Sequence, residues 1–270
     1  MTMNFSNRLL MIGCGNMAGQ MLNRWLECGL SPARVTVVRP SGQPVAQGIE
    51  VLTQAPDEIA SGTIVLLGMK PYQLSDVAAS LKGLLGAHHI IASVLAGTKQ
   101  AQLRDAFPDV SDIVRIMPNT PVGVGQGVCA LFADDATSES ARGAIYELMQ
   151  PLGLAEWIGS ESQFNLVTAL SGCGPAYLFR FIDALAKAAA QLGLPDAQAG
   201  RLALATVQGA STLAAQSSES PGKLADRVAS PGGMTRQGMN VLDDDDRLVK
   251  LLTDTLRAAR DRGDEMERGA

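Results

Sequence analysis

Short apolar runs alternate with segments of helical periodicity through the first part of the chain. Each run is continuous rather than alternating, which is typical of a strand buried on both faces of a parallel sheet. The alternation of such strands with helices predicts an α/β fold with a Rossmann-type, doubly wound parallel sheet. Strands are predicted just before Gly13 and over Val35–Val38, Ile64–Met69, His89–Leu95 and Asp112–Met117.

The pattern changes after about residue 163. From Phe164 onward alanine and leucine recur at helical spacing, with a break at Leu194-Pro195-Asp196 and further helices over Pro221–Val228 and about Asp245–Arg262. We therefore predict that the sheet domain is followed by an all-helical C-terminal domain. The predicted domains are residues 1–160 and residues 161–270.

Composition limits the classes of function. Hydrophobic residues make up 46% of the 270-residue chain and charged residues only 18%, which predicts that apolar surface is buried between subunits of a homo-oligomer. The net charge of −5, without a basic cluster interleaved with aromatics, argues against a nucleic-acid partner. No apolar run reaches membrane-spanning length, so no membrane partner is expected.

Cysteines and histidines offer no metal site. The four cysteines are scattered without paired spacing, and the two histidines, His88 and His89, are neighbours. We predict no metal and a reduced, cytoplasmic environment.

The first predicted strand leads directly into a glycine-rich turn and a helix. Gly13 can form the tight turn, Gly15 leaves room for a pyrophosphate, and the following helix, beginning with Asn16 and Met17, points free N–H groups at it. An ordinary strand-to-helix turn is the alternative. The second strand follows the helix at the spacing of a dinucleotide-binding strand–helix–strand unit, so residues 1–160 are predicted to bind a dinucleotide.

The end of the second strand bears on which dinucleotide binds. NAD-specific sites usually place an acidic residue there, but this strand ends in Arg39, followed by Ser41. A cation and a hydroxyl favour a 2′-phosphate, which predicts NADPH rather than NADH. The alternative is that Arg39 is a solvated charge at the end of a strand.

Later strands are predicted to bring more residues to the same crevice. In a doubly wound sheet the ligand lies outside the carboxyl ends of the strands. Lys70 and Pro71, Ala96, and Asn119 each follow a predicted strand. Pro118 and Pro121 make the last of these loops rigid, and plain turn chemistry is the alternative there.

The helical part contains two small-residue motifs and one acidic run. In SPGGMT, the residues Ser230, Gly232, Gly233 and Thr235 can form a nest of backbone N–H groups for an anion such as a carboxylate. The alternative is a simple connector between helices.

The segment SGCGPAY (171–177) is interpreted as the closely packed start of a helix. Cys173 is interpreted as a packed side chain rather than a nucleophile. The four aspartates at 243–246 are interpreted as a solvated helix cap with no catalytic or metal-binding role.

Taken in order, these motifs resemble those of the pyrroline-5-carboxylate reductase family, which catalyses the last step of proline biosynthesis. The resemblance covers nearly the whole chain. The matching segments are IGCGNMAGQML (12–22), GMKPYQL (68–74), RIMPNTPVGVGQGV (115–128), LSGCGPAYLF (170–179), LGLP (192–195) and SPGGMTRQGMNVL (230–242).

The resemblance implies a Rossmann domain and a helical dimerisation domain that interleaves with its partner, giving a homodimer or a higher homo-oligomer built from dimers. It implies that the substrate carboxylate lies against Ser230, Gly232, Gly233 and Thr235, with Thr235 near the ring nitrogen as the catalytic residue. It also implies that NADPH, or alternatively NADH, is held by the glycine-rich turn, the end of the second strand and Lys70-Pro71.

Three positions depart from the family pattern. Cys173 replaces the middle serine of Ser-Gly-Ser-Gly-Pro-Ala-Tyr, and Ala55 stands where an asparagine near the cofactor ribose is common. Glu219 is the nearest match to a glutamate usually found before Pro221. These changes bear on cofactor preference and substrate fit rather than on the class of reaction.

The expected activity is NAD(P)H-dependent reduction of the cyclic imine 1-pyrroline-5-carboxylate to L-proline. Reduction of another cyclic imino acid, and a non-catalytic NADP-binding sensor, are the alternatives. A hydroxyacid dehydrogenase of related architecture would need a lysine four residues after Gly174, and that position is Leu178.

Overall fold

The computed structural model describes residues 5–268, so the outermost residues of both predicted domains lie outside the described part. The chain forms two compact units. The first extends to Cys173 and takes in the chain again from Ala259, and the second is Gly174–Ala258. The predicted boundary between residues 160 and 161 stays a prediction.

The first unit is built on a single sheet whose centre matches the predicted Rossmann pattern. The strand order is β3-β2-β1-β4-β5-β6-β7-β8, so the direction of winding reverses between β1 and β4. Ligands bind at such a reversal in doubly wound sheets. The strands are β1 Leu9–Ile12, β2 Val35–Val38, β3 Glu50–Leu52, β4 Ile64–Leu67, β5 Ile90–Ser93, β6 Asp112–Pro118, β7 Gly127–Phe132 and β8 Gly153–Trp157.

The predicted strands pair in parallel, which confirms the predicted sheet, and one further strand departs from that direction. Strand β7 pairs antiparallel with β6, whereas every other neighbouring pair is parallel. The link between them is one 3-10 turn, Thr120–Val124, ended by Gly125 at φ +69°. So short a link can only reverse the chain, because a parallel connection needs a crossover of a dozen or more residues.

Helices cover both faces of the sheet and bury two apolar clusters. On one face Trp25 of α1 is fully buried and donates its indole N–H to the carbonyl of Leu148 at 2.7 Å. On the other face Leu103 and Phe107 pack with Val65 and Ile91 of the strands. The helices of this unit are α1 Asn16–Glu27, α2 Leu74–Ser80, α3 Gln100–Ala106, α4 Glu139–Met149 and α5 Phe164–Val167.

The second unit is helical, which confirms the predicted all-helical C-terminal part. Its helices are α6 Gly174–Gln191, α7 Asp196–Gln216, α8 Pro221–Val228, α9 Met234–Asp243 and α10 Arg247–Arg268, the last ending in the first unit. Many large apolar side chains on them are exposed in the single chain, among them Phe179, Leu192, Leu213 and Val249. Apolar surface of this extent is typical of a subunit interface.

Within the part of the chain that the structure describes, none of the helices combines the length and apolar character needed to cross a bilayer.

A buried arginine joins distant parts of the first unit. The Arg115 side chain on β6 is 2% exposed, donates to the Glu161 carboxylate and lies 3.9 Å from the centre of the Phe164 ring. Its second amino group lies 3.8 Å from Glu267 near the end of α10. Burial lowers the pKa of Arg115, and the two carboxylates oppose that shift. The network therefore holds the C-terminal segment on the sheet.

Replacing Arg115 by alanine is expected to lower the free energy of unfolding by about 3 kcal/mol, because the carboxylates lose the cation that compensates them. The matched control is Arg262→Ala, which removes an exposed pair with Glu265 on the same C-terminal segment and is expected to cost less than about 1 kcal/mol. Denaturant unfolding of both variants measures the difference. Equal losses would contradict a structural role for the buried network.

Candidate active site

The glycine-rich turn lies where β1 ends beside β4. Gly13 has φ +83°, and its N–H donates to the carbonyl of Val38 at 2.8 Å. A Cβ on Gly13 would lie 2.9 Å from the backbone of Met69, so only glycine fits both the conformation and the space. Gly68 is also tightly packed, since a Cβ there would lie 3.0 Å from the Cβ of Ala18. The turn, strand β4 and helix α1 are therefore held in close contact.

Gly15 faces open space at the N-terminus of α1. A Cβ added there would meet nothing within 4 Å, and Gly15 is the N-cap of the helix. The first bond within the helix is the one that the N–H of Gly19 donates to Gly15, which leaves the N–H groups of Asn16 and Met17 without helical partners. No acidic residue occupies the first turn. This end of α1 is suited to a phosphate group.

Arg39 and Ser41 follow β2 on the same edge of the sheet. Arg39 is half-buried, and its N–H donates to the carbonyl of Leu52 at 2.8 Å. A turn continues from it, with the N–H of Gly42 donating to the Arg39 carbonyl at 3.0 Å. Burial raises the pKa of the nearby Cys14 thiol, and the charge of Arg39 partly opposes this. Arg39 thus sets a positive charge beside the glycine-rich turn.

A cavity of about 800 Å³ joins these elements. The structure brings together seven predicted cofactor residues as lining of this cavity, namely Gly13, Gly15, Asn16, Met17, Arg39, Ser41 and Lys70. Among residues 5–268, Arg39 and Lys70 are its charged lining residues, and neither a carboxylate nor a histidine lines it. The size, the open face of Gly15 and the two cations fit a dinucleotide with its phosphates.

Sequence reasoning missed part of this lining. Thr53 and Gln54 also face the cavity, together with Ala55, the residue that stands at the family's asparagine. They follow β3, a strand of three residues that the apolar pattern did not predict. The apolar pair Val51-Leu52 was the available signal, but it is too short to distinguish a strand from a loop.

Three predicted cofactor residues do not line the cavity. Pro71 begins the 3-10 turn after Lys70, and Ala96 is exposed beyond β5. Asn119 follows β6 and is 6% exposed, with its side-chain amide bonded to the backbone of Val128 and of Ser171. The contact of these three residues with a cofactor stays a prediction.

The SPGGMT motif lies in the second unit, between α8 and α9. Gly232 has φ +74°, and the N–H of Gly233 donates to the carbonyl of Ser230 at 3.0 Å. Gly233 is the N-cap of α9, so Thr235 lies in the first turn of that helix, where N–H groups are free of helical partners. Ser230 and Thr235 are exposed. The motif therefore presents two hydroxyls and free backbone donors, as an anion requires.

The other two departures from the family pattern have local partners. The N–H of Cys173 donates to the carbonyl of Thr168 at 2.9 Å, and its side chain is only partly exposed. The Glu219 carboxylate accepts a bond from Arg227 within the second unit.

Two family models match this chain, one in each half. The family model for pyrroline-5-carboxylate reductase dimerisation matches residues 161–266. A model described as NADP oxidoreductase, coenzyme F420-dependent, matches residues 8–97. The first range contains the SPGGMT motif, and the second contains the whole cavity lining given above.

Curated and solved relatives agree with those matches. The pyrroline-5-carboxylate reductase of Pseudomonas aeruginosa is 31% identical over 264 residues, 96% of each chain. A pyrroline-5-carboxylate reductase structure from Coxiella burnetii superimposes with a TM-score of 0.87 at 31% identity, covering 96% of this chain and 98% of that one. The Plasmodium falciparum pyrroline carboxylate reductase, solved with NADP bound, has a TM-score of 0.80 at 23% identity over 99% and 100%, a likeness of fold. Such identity over nearly the full length of both chains shows that this chain belongs to the pyrroline-5-carboxylate reductase family.

Proposed function

We propose that this protein reduces 1-pyrroline-5-carboxylate to L-proline with NAD(P)H. The observation that carries the proposal is a nucleotide-sized cavity whose lining, among the described residues, has two cations and neither a carboxylate nor a histidine, in a chain that matches reductases of this substrate over 96% of its length. Bound NADPH supplies a hydride to the imine carbon. The chain has to bind and orient the substrate and exclude water.

A lining without a carboxylate or histidine among the described residues agrees with the chemistry of an imine. A protonated C=N group is a good electrophile, so the reaction depends on orientation more than on a protein base. An alcohol dehydrogenation would instead need a residue that moves the hydroxyl proton. In this chain Thr235, directly or through water, would hold the proton of the ring nitrogen.

Each group of residues has a proposed role. The backbone of Gly13, Gly15, Asn16 and Met17 would hold the pyrophosphate, because these residues surround the N-terminus of α1. Arg39 and Ser41 would bind the 2′-phosphate of NADPH. Lys70, Pro71 and Ala96 would contact the cofactor nearer its nicotinamide end.

The substrate would be held by the SPGGMT loop. Ser230, Gly232 and Gly233 present hydroxyl and backbone donors at the start of α9, which suits the substrate carboxylate. Thr235 lies in the first turn of α9, and its exposed hydroxyl would interact with the ring nitrogen.

The family model for dimerisation and the exposed apolar helices support a homo-oligomer. We propose a homodimer, or a higher homo-oligomer built from dimers, located in the cytoplasm. A sensor that binds NADP without turnover, and a reductase of another cyclic imino acid, are the rival functions.

Loss of NADPH absorbance with purified protein tests the proposal. Pyrroline-5-carboxylate is expected to drive NADPH oxidation faster than a six-membered cyclic imino acid does. NADPH binding without turnover on either ring would instead identify a sensor, and preference for the six-membered ring would identify a different reductase.

Thr235→Ala is expected to lower kcat/KM by about tenfold or more, the effect of one hydrogen bond made near the transition state. The matched control, Thr235→Ser, retains the hydroxyl and is expected to keep most of the activity. Steady-state kinetics with varied pyrroline-5-carboxylate measures both. Unchanged kinetics in the alanine variant would remove Thr235 from the reaction.

Arg39→Met is expected to weaken NADPH binding by about tenfold, because a charge-assisted bond to the 2′-phosphate is lost. NADH binding is expected to stay unchanged. The control is Arg8→Met, since Arg8 is an exposed cation just before β1, at the opposite edge of the sheet. Titration of both nucleotides by fluorescence measures the effect, and an equal loss for NADPH and NADH would contradict the role in choosing between them.

A further inference from the structure

Asn119 joins three segments of the first unit through one buried side chain. Its Oδ1 accepts the N–H of Val128 at 2.8 Å, and its Nδ2 donates to the carbonyl of Ser171 at 2.9 Å. Its own N–H donates to the Val128 carbonyl, and its carbonyl accepts the N–H of Val122, both at 3.1 Å. Asn119 is only 6% exposed and does not line the nucleotide cavity. Both ends of its side-chain amide are thus hydrogen-bonded within the protein.

The carbonyl of Ser171 needs such a donor. In a continuing α-helix it would accept the N–H of the residue four positions on, but that residue is Pro175, which has no N–H. Ser171 is partly buried, and a fully buried carbonyl without a partner would cost about 1–3 kcal/mol. The side chain of Asn119 replaces the missing backbone donor.

Ser171 belongs to a π-helical turn, Thr168–Gly172. The turn is closed by the Cys173 N–H, which donates to the Thr168 carbonyl at 2.9 Å. It lies close to the end of β6, since a Cβ on Gly172 would be 3.8 Å from the Met117 side chain. The chain leaves the first unit immediately afterwards, at Cys173. π-Helical turns are uncommon and are frequent at functional sites.

We propose that Asn119 is a positioning residue for the reductase reaction, acting by fixing this π-helical turn to the carboxyl end of β6. The inference rests on the proposed function. The chain passes from this turn into the unit that carries Ser230 and Thr235, the residues proposed to hold the substrate. A displacement of about 1 Å in an active site can cost about a hundredfold in rate. Because Asn119 does not line the nucleotide cavity, we expect its loss to change turnover rather than nucleotide affinity.

Asn119→Asp removes the donor to Ser171 with the least other change. The variant keeps an oxygen for the Val128 N–H, but an ionised carboxylate would repel the Ser171 carbonyl. When the introduced carboxyl is protonated it can donate to that carbonyl again, and its burial raises its pKa. The matched control is Ser171→Ala, which keeps the carbonyl and loses only the hydroxyl bond to the Val167 carbonyl.

At pH 8 we expect Asn119→Asp to lower kcat by about tenfold to a hundredfold and to leave the NADPH dissociation constant within about twofold of wild type. Hydrogen exchange over residues 168–174 is expected to rise, with no change over 64–67. At pH 5.5 the activity relative to wild type is expected to recover. Ser171→Ala is expected to show none of these changes.

Two results would overturn the proposal. A weaker NADPH affinity that matches the loss of activity, with unchanged exchange over 168–174, would make Asn119 a cofactor contact. Unchanged kcat and unchanged exchange would show that the bond is dispensable.

The readouts separate this proposal from the proposed function. If the wild-type protein does not reduce pyrroline-5-carboxylate, the proposed function and the kinetic role of Asn119 fail, whereas exchange and NADPH binding still report whether the amide holds the turn. If Asn119→Asp folds only at pH 5.5, the pH-dependent donor is supported. Failure to fold at both pH values contradicts it.

Discussion

The close approach of backbone at the centre of the sheet is the constraint on which the nucleotide cavity depends. Gly13 leaves no room for a Cβ against Met69, and Gly68 leaves little against Ala18. These contacts bring the ends of β1 and β4 together with the N-terminus of α1. The open face of Gly15 and the half-buried Arg39 then face the same space. A larger side chain at Gly13 would separate the strands and thereby remove the phosphate-binding end of the helix from its place.

Buried polar side chains connect the segments of the other half of the first unit, where β7 runs antiparallel to β6. Arg115 is buried on β6 between carboxylates from Glu161 and Glu267, and Asn119 follows the same strand with both sides of its amide bonded. Buried polar groups are costly unless they are paired, so these networks favour one arrangement of the segments over its alternatives. Strand β6 thus connects the parallel sheet, the antiparallel strand β7 and the C-terminal segment.

The two units of the chain carry different groups for the proposed reaction. The cavity offers cations and backbone donors that suit a dinucleotide, whereas the helical unit carries the hydroxyls and the free N–H groups of the SPGGMT loop. An imine substrate needs little acid–base assistance, so neither set requires a histidine or a carboxylate. The apolar helices of the second unit remain exposed in one chain, as expected of a member of a family with a dimerisation domain.

The sequence by itself determined the elements whose signals are local. The glycine-rich turn, strand β2 over Val35–Val38 and the all-helical C-terminal part follow from residue spacing, because apolar period and glycine or proline placement act over a few residues. Only the tertiary structure decided which polar side chains are already bonded to other parts of the protein. Asn119 meets Ser171 across 52 residues, and Arg115 meets Glu161 across 46. The antiparallel β7 and the part played by Thr53–Ala55 in the cavity depend in the same way on strand pairing, which no local pattern specifies.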